Sequence, residues 1–134
     1  MSRAGLSALA ALALGACGSP PQTPSTRPAF VLDCDKGFAV LSARIAADPD
    51  LVKAPATPGE PYDVYNATDG HASFFVTQKA APGHPAIVMQ QPERVGGKLD
   101  MKNTGCPYGQ RKGYDELITY LEIIGRVAAP AQNR

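Results

Sequence analysis

Few side chains in this sequence could bind a soft metal ion. Apart from the cysteines and the first residue, they are two histidines and two methionines, His71, His84, Met89 and Met101. Imidazole and thioether groups suit copper, so His84, Met89 and Met101 are the candidate ligands of a copper carrier. Residues at odd offsets on a strand point to opposite faces, and His84 and Met89 therefore converge only if His84 lies in a turn. Met89 shares a face with Ile87, as a core residue does, and we predict no metal or other cofactor.

The motifs of common catalytic sites do not occur in the sequence. It contains no GxSxG, no HExxH and no glycine-rich phosphate loop. Ser42 has no identifiable base. Ser73 and His71 would share one face of a strand, where a dyad is one interpretation and a polar, solvated strand side is the other. We predict that the protein is not an enzyme.

A basic pair between tyrosines lies near the end of the chain, in the stretch YGQRKGY. An aromatic and basic surface of this kind could contact phosphate groups, an anionic glycan or an acidic protein. The candidate partner-binding residues are Tyr108, Arg111, Lys112 and Tyr114. Acids gather instead in residues 48 to 70, where Lys53 is the only base. These acids are Asp48, Asp50, Glu60, Asp63 and Asp69. Bases predominate between Arg94 and Lys112, where Asp100 is the only acid. Alternatively, these two charged segments face each other, or both are simply solvated.

The first seventeen residues, MSRAGLSALAALALGAC, have the composition of a secretory leader. Arg3 carries their only charge, and every residue from 6 to 14 except Ser7 is leucine or alanine. This apolar block has the length of a signal-peptide core. It is shorter than the roughly 20 residues that a membrane-spanning helix needs.

The motif Leu14-Gly15-Ala16-Cys17 resembles the lipobox of bacterial lipoproteins, which is an apolar residue, two small residues and a cysteine. The resemblance implies that residues 1–16 are a signal peptide and that Cys17 is acylated on its sulfur and on its new amino group. It also implies retention in the periplasmic leaflet of the outer membrane, because Gly18 rather than aspartate follows the cysteine. The alternative is an ordinary secretory signal, with Cys17 as a free thiol.

Two further cysteines, Cys34 and Cys106, lie near the two ends of the region that follows. In the oxidising compartment that the lipobox implies, such pairs persist as disulfides. A bridge between them would close a loop of about 73 residues and stabilise the domain by roughly 4 kcal/mol in the chain-entropy model. The alternative is a reactive or metal-binding thiol, but no CxxC occurs and neither cysteine has a histidine nearby in the sequence.

Proline dominates the segment after the lipobox, GSPPQTPSTRP. Such a stretch cannot bury a core and favours an extended polyproline II conformation. We interpret residues 17–29 as the lipidated cysteine and a tether, and residues 30–134 as a single globular domain. Without Arg3, the remaining 12 Lys and Arg match the 12 Asp and Glu. This neutral charge argues against a nucleic-acid partner, which calls for a basic domain.

Hydrophobic periodicity predicts an α+β domain with a small antiparallel sheet of three to four strands. Alternating or β-branched stretches bounded by turn residues indicate strands. These are 62–66, 71–78, 86–91 (closed by Pro92) and 98–102. Residues 30–32 could add an edge strand, and the proline-rich stretch from 48 to 61 is expected to be a loop.

Helical spacing occurs at two places. Tyr114, Leu117, Ile118 and Leu121 fall on one face of an amphipathic helix that runs to Ala128 and stops before a proline. We predict that this C-terminal helix packs across the sheet. Residues 36 to 47 favour a second helix near the N-terminus, although a strand is the alternative there.

The stretch FVLDCDKG, residues 30–37, is similar to the opening of membrane-bound lysozyme-inhibitor lipoproteins, in which an aromatic or apolar residue precedes an early cysteine. That resemblance implies a β-barrel and a lysozyme-inhibiting function. The helix predicted at the C-terminus of this chain does not fit such a β-barrel.

The sequence thus predicts a lipid-anchored cell-envelope protein with a binding or structural role, facing the periplasm. Expected partners are the membrane, through the anchor, and an envelope protein, peptidoglycan or lipopolysaccharide. The alternatives are a periplasmic copper carrier and a lysozyme-inhibitor-like lipoprotein.

Overall fold

A computed structural model describes residue 18 and residues 27–128, with side chains as far as Gly125. The predicted signal peptide at 1–16, the lipidation residue Cys17 and most of the 17–29 tether lie outside the described residues. Within the described part of the chain, no helix is both long enough and apolar enough to cross a membrane.

The sheet has five strands, and the prediction of three to four is therefore wrong, although the class is broadly α+β. The strands are β1 (Leu51–Lys53), β2 (Tyr62–Ala67), β3 (Ser73–Thr77), β4 (Ala86–Val95) and β5 (Lys98–Pro107). They pair in chain order, and every neighbouring pair is antiparallel. Each connection joins strands that are neighbours in the sheet, so the sheet is a simple meander.

The additional strand is β1, which lies inside the stretch from 48 to 61 that we expected to be a loop. Leu51 pairs with Ala67, and Lys53 pairs with Tyr65. Three residues between prolines are too few to show an alternating pattern. The buried side chain of Leu51 holds this short strand against the sheet.

A helix covers each face of the sheet. The helix α1 (Phe38–Ala47) packs on one face, and α2 (Arg111–Ala128) packs on the other. Gly37 precedes α1 with a φ of 80°, a conformation that glycine adopts without strain. The predicted C-terminal helix thus begins at Arg111, and a helix rather than a strand occupies the 36–47 region.

Alternation along the strands divides the core in two. We call the side toward α1 the α1 face and the side toward α2 the α2 face. The α1 face buries Leu41, Ile45, Leu51, Ala67, Ala72, Phe74, Val76, Ile87 and Cys106. The α2 face buries Tyr62, Phe75, Ala86, Val88, Tyr114, Leu117 and Leu121. The result is a three-layer domain with an open sheet in the middle.

The segment 30–32 is not the predicted edge strand. Phe30 instead lies edge-on to Phe74, with ring centroids 5.2 Å apart, and contributes to the core of the α1 face. Among the described residues β1 and β5 remain unpaired edges. The closed β-barrel implied by the lysozyme-inhibitor resemblance at 30–37 is therefore not the fold found.

Pro92 does not close its strand as predicted, because β4 continues to Val95. The register with β3 ends at Gln90, so the rest of β4 pairs with β5 alone. In the hairpin closed by Gly96 and Gly97, Pro92 and Met101 form a pair that exchanges no backbone hydrogen bonds. An amide at position 92 would therefore point away from β5, to the side where β3 has already ended. A proline costs no ladder hydrogen bond there. Beyond Gln90, β4 therefore belongs to the sheet only through its pairing with β5.

Candidate functional site

A cleft of about 300 Å³ opens beside the first turns of α2. We call it the Tyr62 cleft, after the residue at its floor. Three segments far apart in the sequence form it: the β1–β2 loop with the start of β2, the β3–β4 loop, and α2. The lining residues are Gly59, Glu60, Pro61, Tyr62, Ala81, Pro82, Gly113, Glu116, Leu117 and Tyr120.

One wall of the cleft is a close contact between the backbone of the β3–β4 loop and the backbone of α2. A Cβ on Gly113 would overlap the main chain of Pro82 and Gly83, and a Cβ on Gly83 would overlap the main chain at Tyr114. Only glycine allows so close a contact between the β3–β4 loop and α2. The loop is therefore seated directly on the helix, and the cleft has a defined shape.

Two carboxylates and two phenols supply the polar groups of the Tyr62 cleft. The Tyr120 hydroxyl donates to Glu60 Oε1 at 2.8 Å, which joins α2 to the β1–β2 loop. Glu116 lies on the exposed side of the same helix, four residues before Tyr120. The rings of Tyr62 and Tyr120 have centroids 6.3 Å apart. No lysine or arginine lines the cleft.

The hydroxyl group of Tyr62 lacks a hydrogen-bond partner among the described residues, although it is buried. The whole residue is only 6% exposed. Burial is the main cause that raises the pKa of Tyr62, and the neighbouring Tyr120 hydroxyl and Glu60 carboxylate add to it. The raised pKa keeps the phenol neutral.

The predicted disulfide between Cys34 and Cys106 is present, with Cα atoms 5.4 Å apart. Cys106 is fully buried in the core of the α1 face, whereas Cys34 lies at the exposed end of the N-terminal segment. The Tyr108 hydroxyl donates to the Cys34 carbonyl oxygen at 2.6 Å. The bridge and this hydrogen bond together tie the segment before α1 to β5.

The two tyrosines that flank the basic pair do not lie on one surface. Tyr108 packs at the α1 face, whereas Tyr114 is buried in the core of the α2 face. Arg111 lies over the Tyr114 ring at 5.6 Å and pairs with Asp115, 2.9 Å from Nε to Oδ1. Lys112 is exposed. The structure thus brings together Arg111 and Tyr114, with Tyr108 on the other side of the sheet.

The residues weighed as copper ligands are not gathered at one point. His84 lies in the β3–β4 loop, where Nδ1 is 3.0 Å from Thr77 Oγ1, and its ring meets Phe38 edge-on at 5.2 Å. Met89 points to the α1 face, and Met101 points to the α2 face, because Met101 pairs with Pro92. Within the part of the chain that the structure describes, no three His, Cys, Asp or Glu side chains form a metal cluster.

The His71 and Ser73 side chains each have another partner. Ser73 Oγ donates to Asn66 Oδ1 at 2.7 Å. His71 Nδ1 contacts Asp69 Oδ1, and the pKa of that carboxyl is lowered, first by the hydrogen bond from the His71 amide. Ser73 is therefore not hydrogen-bonded to His71, and the two residues form a polar end of the strand rather than a catalytic dyad.

The residues of the Tyr62 cleft were not singled out from the sequence. The one available signal was the acidic segment 48–70, to which Glu60 belongs. Comparison with known proteins adds no further assignment, since no family model, curated protein or solved structure matches this chain.

Proposed function

We propose that this protein is a lipid-anchored binding module of the bacterial cell envelope, held in the periplasmic leaflet of the outer membrane. The observation that carries the proposal is the Leu14-Gly15-Ala16-Cys17 lipobox, with Gly18 after the cysteine. Acyl chains on Cys17 would each contribute about 0.8 kcal/mol per buried CH₂, so three chains would anchor the protein firmly. The proline-rich tether then holds the domain away from the bilayer.

The disulfide supports the proposed periplasmic location of the domain. Cys34 and Cys106 are joined across a sequence separation of 72 residues. Bridges of this kind form and persist in the periplasm and are rare in the cytosol.

The Tyr62 cleft supports binding rather than catalysis as the role of the domain. Its lining combines apolar surface with a small number of polar groups, which is the usual composition of a ligand site. Its ionisable lining groups are two carboxylates and two phenols, and the Glu60 carboxylate is occupied by the hydrogen bond from Tyr120. The cleft therefore serves to hold part of an envelope partner.

Replacing the lipobox cysteine tests the anchor. We expect Cys17→Ser to leave the membrane fraction and to lose incorporation of a palmitate analogue, because the acyl acceptor is gone. Ser7→Ala is the matched control, since it keeps the apolar block and the cysteine, and it should remain membrane-bound and labelled. A Cys17→Ser protein that still sediments with the outer membrane would contradict the proposal.

A further inference from the structure

The free edge of β5 is the one long strand edge in the described part of the chain with no proline inside it. The edge strand on the other side, β1, has only three residues and lies between Pro49 and Pro55. The stretch of β4 that runs beyond β3 contains Pro92. In contrast, β5 has ten residues, and its proline is the last of them, Pro107. Short strands and prolines are the usual features that prevent edge pairing, so β5 is the edge left open to a further strand.

The N-terminal segment meets this edge at its inner end. Cys34 is bonded to Cys106, and the Cys34 sulfur lies 3.8 Å from the Gly105 carbonyl oxygen. From residue 98 to residue 104 the side chains are exposed or partly exposed. This open stretch is as long as an ordinary strand, so it can accept a complete one.

Every second residue of the open stretch directs its backbone groups outward. Met101 exchanges no backbone hydrogen bonds with Pro92, so its amide and carbonyl point away from β4. The alternation of an antiparallel ladder gives Leu99 and Asn103 the same direction. In agreement with this, the Met101 amide donates to the side chain of its neighbour, Asp100 Oδ1, at 2.8 Å. The carboxylate occupies the place that a carbonyl oxygen of an added strand would take.

The charged side chains of the open stretch alternate in sign. Lys98, Asp100 and Lys102 point to the side of β5 that Cys106 shares, which is the α1 face. Asp100 stands directly opposite Glu93 in the β4–β5 pairing, and like charges directly opposite each other are unfavourable. A basic side chain on the other side of Asp100 would offset this repulsion.

We propose that two copies of this chain pair through their β5 edges, antiparallel, with Met101 of one copy opposite Met101 of the other. In this register the outward-facing residues of the two copies meet, because Leu99 then lies opposite Asn103. The two five-stranded meanders become one continuous sheet. The pairing does not depend on the lipid anchor and goes beyond the proposed binding role.

Charge complementarity favours a second copy as the added strand. Charges usually protect an edge from pairing. Here the symmetric register places Asp100 of each copy opposite Lys102 of the other, so two opposite-charge pairs form in one dimer. Such pairs stabilise neighbouring strands.

The neighbouring symmetric registers fit less well. A register centred on Leu99 pairs Met101 with the turn residue Gly97, so the ladder is shorter. A register centred on Asn103 loses both charge pairs and brings Met101 opposite Gly105, beside the disulfide. The register centred on Met101 is therefore the one that the edge supports.

Charge-exchange variants test the pairing in the full mature protein. Sedimentation equilibrium in density-matched detergent measures the dimer dissociation constant, which we expect below about 100 µM. Asp100→Lys and Lys102→Asp each place like charges opposite each other twice in one dimer, and each should raise this constant at least about tenfold. The double variant Asp100→Lys/Lys102→Asp restores both pairs with exchanged signs and should return to within about threefold of the unmodified protein.

The matched control is Lys79→Asp, which makes the same charge change at an exposed residue of the β3–β4 loop and should leave the dimer unchanged. Circular dichroism of each variant verifies that it is folded. A protein that stays monomeric at about 1 mM would overturn the proposal, as it would if the edge instead received a segment of another protein. So would single variants that dimerise as well as the unmodified protein, or a double variant as weak as the single ones.

Amide hydrogen exchange followed by NMR tests the register independently. The outward amides of Leu99 and Asn103 should exchange more slowly as the protein concentration rises, because the second copy supplies their acceptors. The Lys102 amide points to β4 in both states, so its exchange should depend much less on concentration. If Leu99 and Asn103 show no slowing while the protein dimerises, another surface forms the dimer and the proposal is wrong.

Discussion

Replacing the tyrosine at the floor of the cleft should make the protein more stable. Tyr62→Phe removes a buried hydroxyl that has no hydrogen-bond partner among the described residues and keeps the ring against Phe75, 5.6 Å away between centroids. Leaving such a group unpaired costs about 1–3 kcal/mol. The polar neighbours Tyr120 and Glu60 offset part of that cost, so we expect a gain of about 1 kcal/mol. For a domain of this size the gain raises Tm by roughly 4 °C.

Urea unfolding followed by circular dichroism measures this change, with Tyr108→Phe as the matched comparison. The Tyr108 hydroxyl donates to the Cys34 carbonyl oxygen at 2.6 Å, and its loss should destabilise the protein by about 1 kcal/mol. The two Tyr→Phe variants thus shift the unfolding midpoint in opposite directions. If Tyr62→Phe loses about 1 kcal/mol as well, its hydroxyl is paired in the folded protein, and the argument that it is a buried unsatisfied group fails.

Two further predictions concern the covalent and steric constraints of the fold. The Cys34→Ala/Cys106→Ala double variant should lose up to about 4 kcal/mol of unfolding free energy, given the 72-residue separation; a loss below about 1 kcal/mol in urea unfolding would contradict the chain-entropy argument. Gly113→Ala should destabilise by about 2 kcal/mol, because the new Cβ overlaps the backbone at Gly83. Gly125→Ala is its control: that Cβ meets only the flexible Met101 side chain at 3.3 Å, so thermal unfolding should show little loss or a gain. Equal losses in the two glycine variants would refute the steric account.

The elements with strong local periodicity were predictable from the sequence. The C-terminal helix buries Tyr114, Leu117 and Leu121 at helical spacing, and this pattern indicates a helix without reference to the rest of the chain. Elements that depend on pairing were not predictable in the same way. The strand at Leu51 has three residues, and β4 continues past Pro92 only because no strand lies beside it there. Such features are set by neighbours, which a local pattern does not reveal.

The candidate site was harder to predict than the fold. The two carboxylates of the cleft, Glu60 and Glu116, are 56 residues apart in the sequence, and the loop that closes the wall comes from a third place. Glu60 belongs to the acidic segment noted in the sequence, and Tyr62 fits its strand pattern. The cleft brings these residues together only because the β3–β4 loop packs directly against α2, where Gly83 contacts Gly113. Composition alone does not indicate that contact.

The most direct test of the central claim is the intact mass of the protein isolated from its native cell envelope. The account predicts a chain that begins at Cys17, carries a diacylglyceryl group on the sulfur and an acyl group on the amino end, and contains one internal disulfide. A full-length chain that retains Met1, is unacylated and is recovered from the soluble cell interior would contradict it.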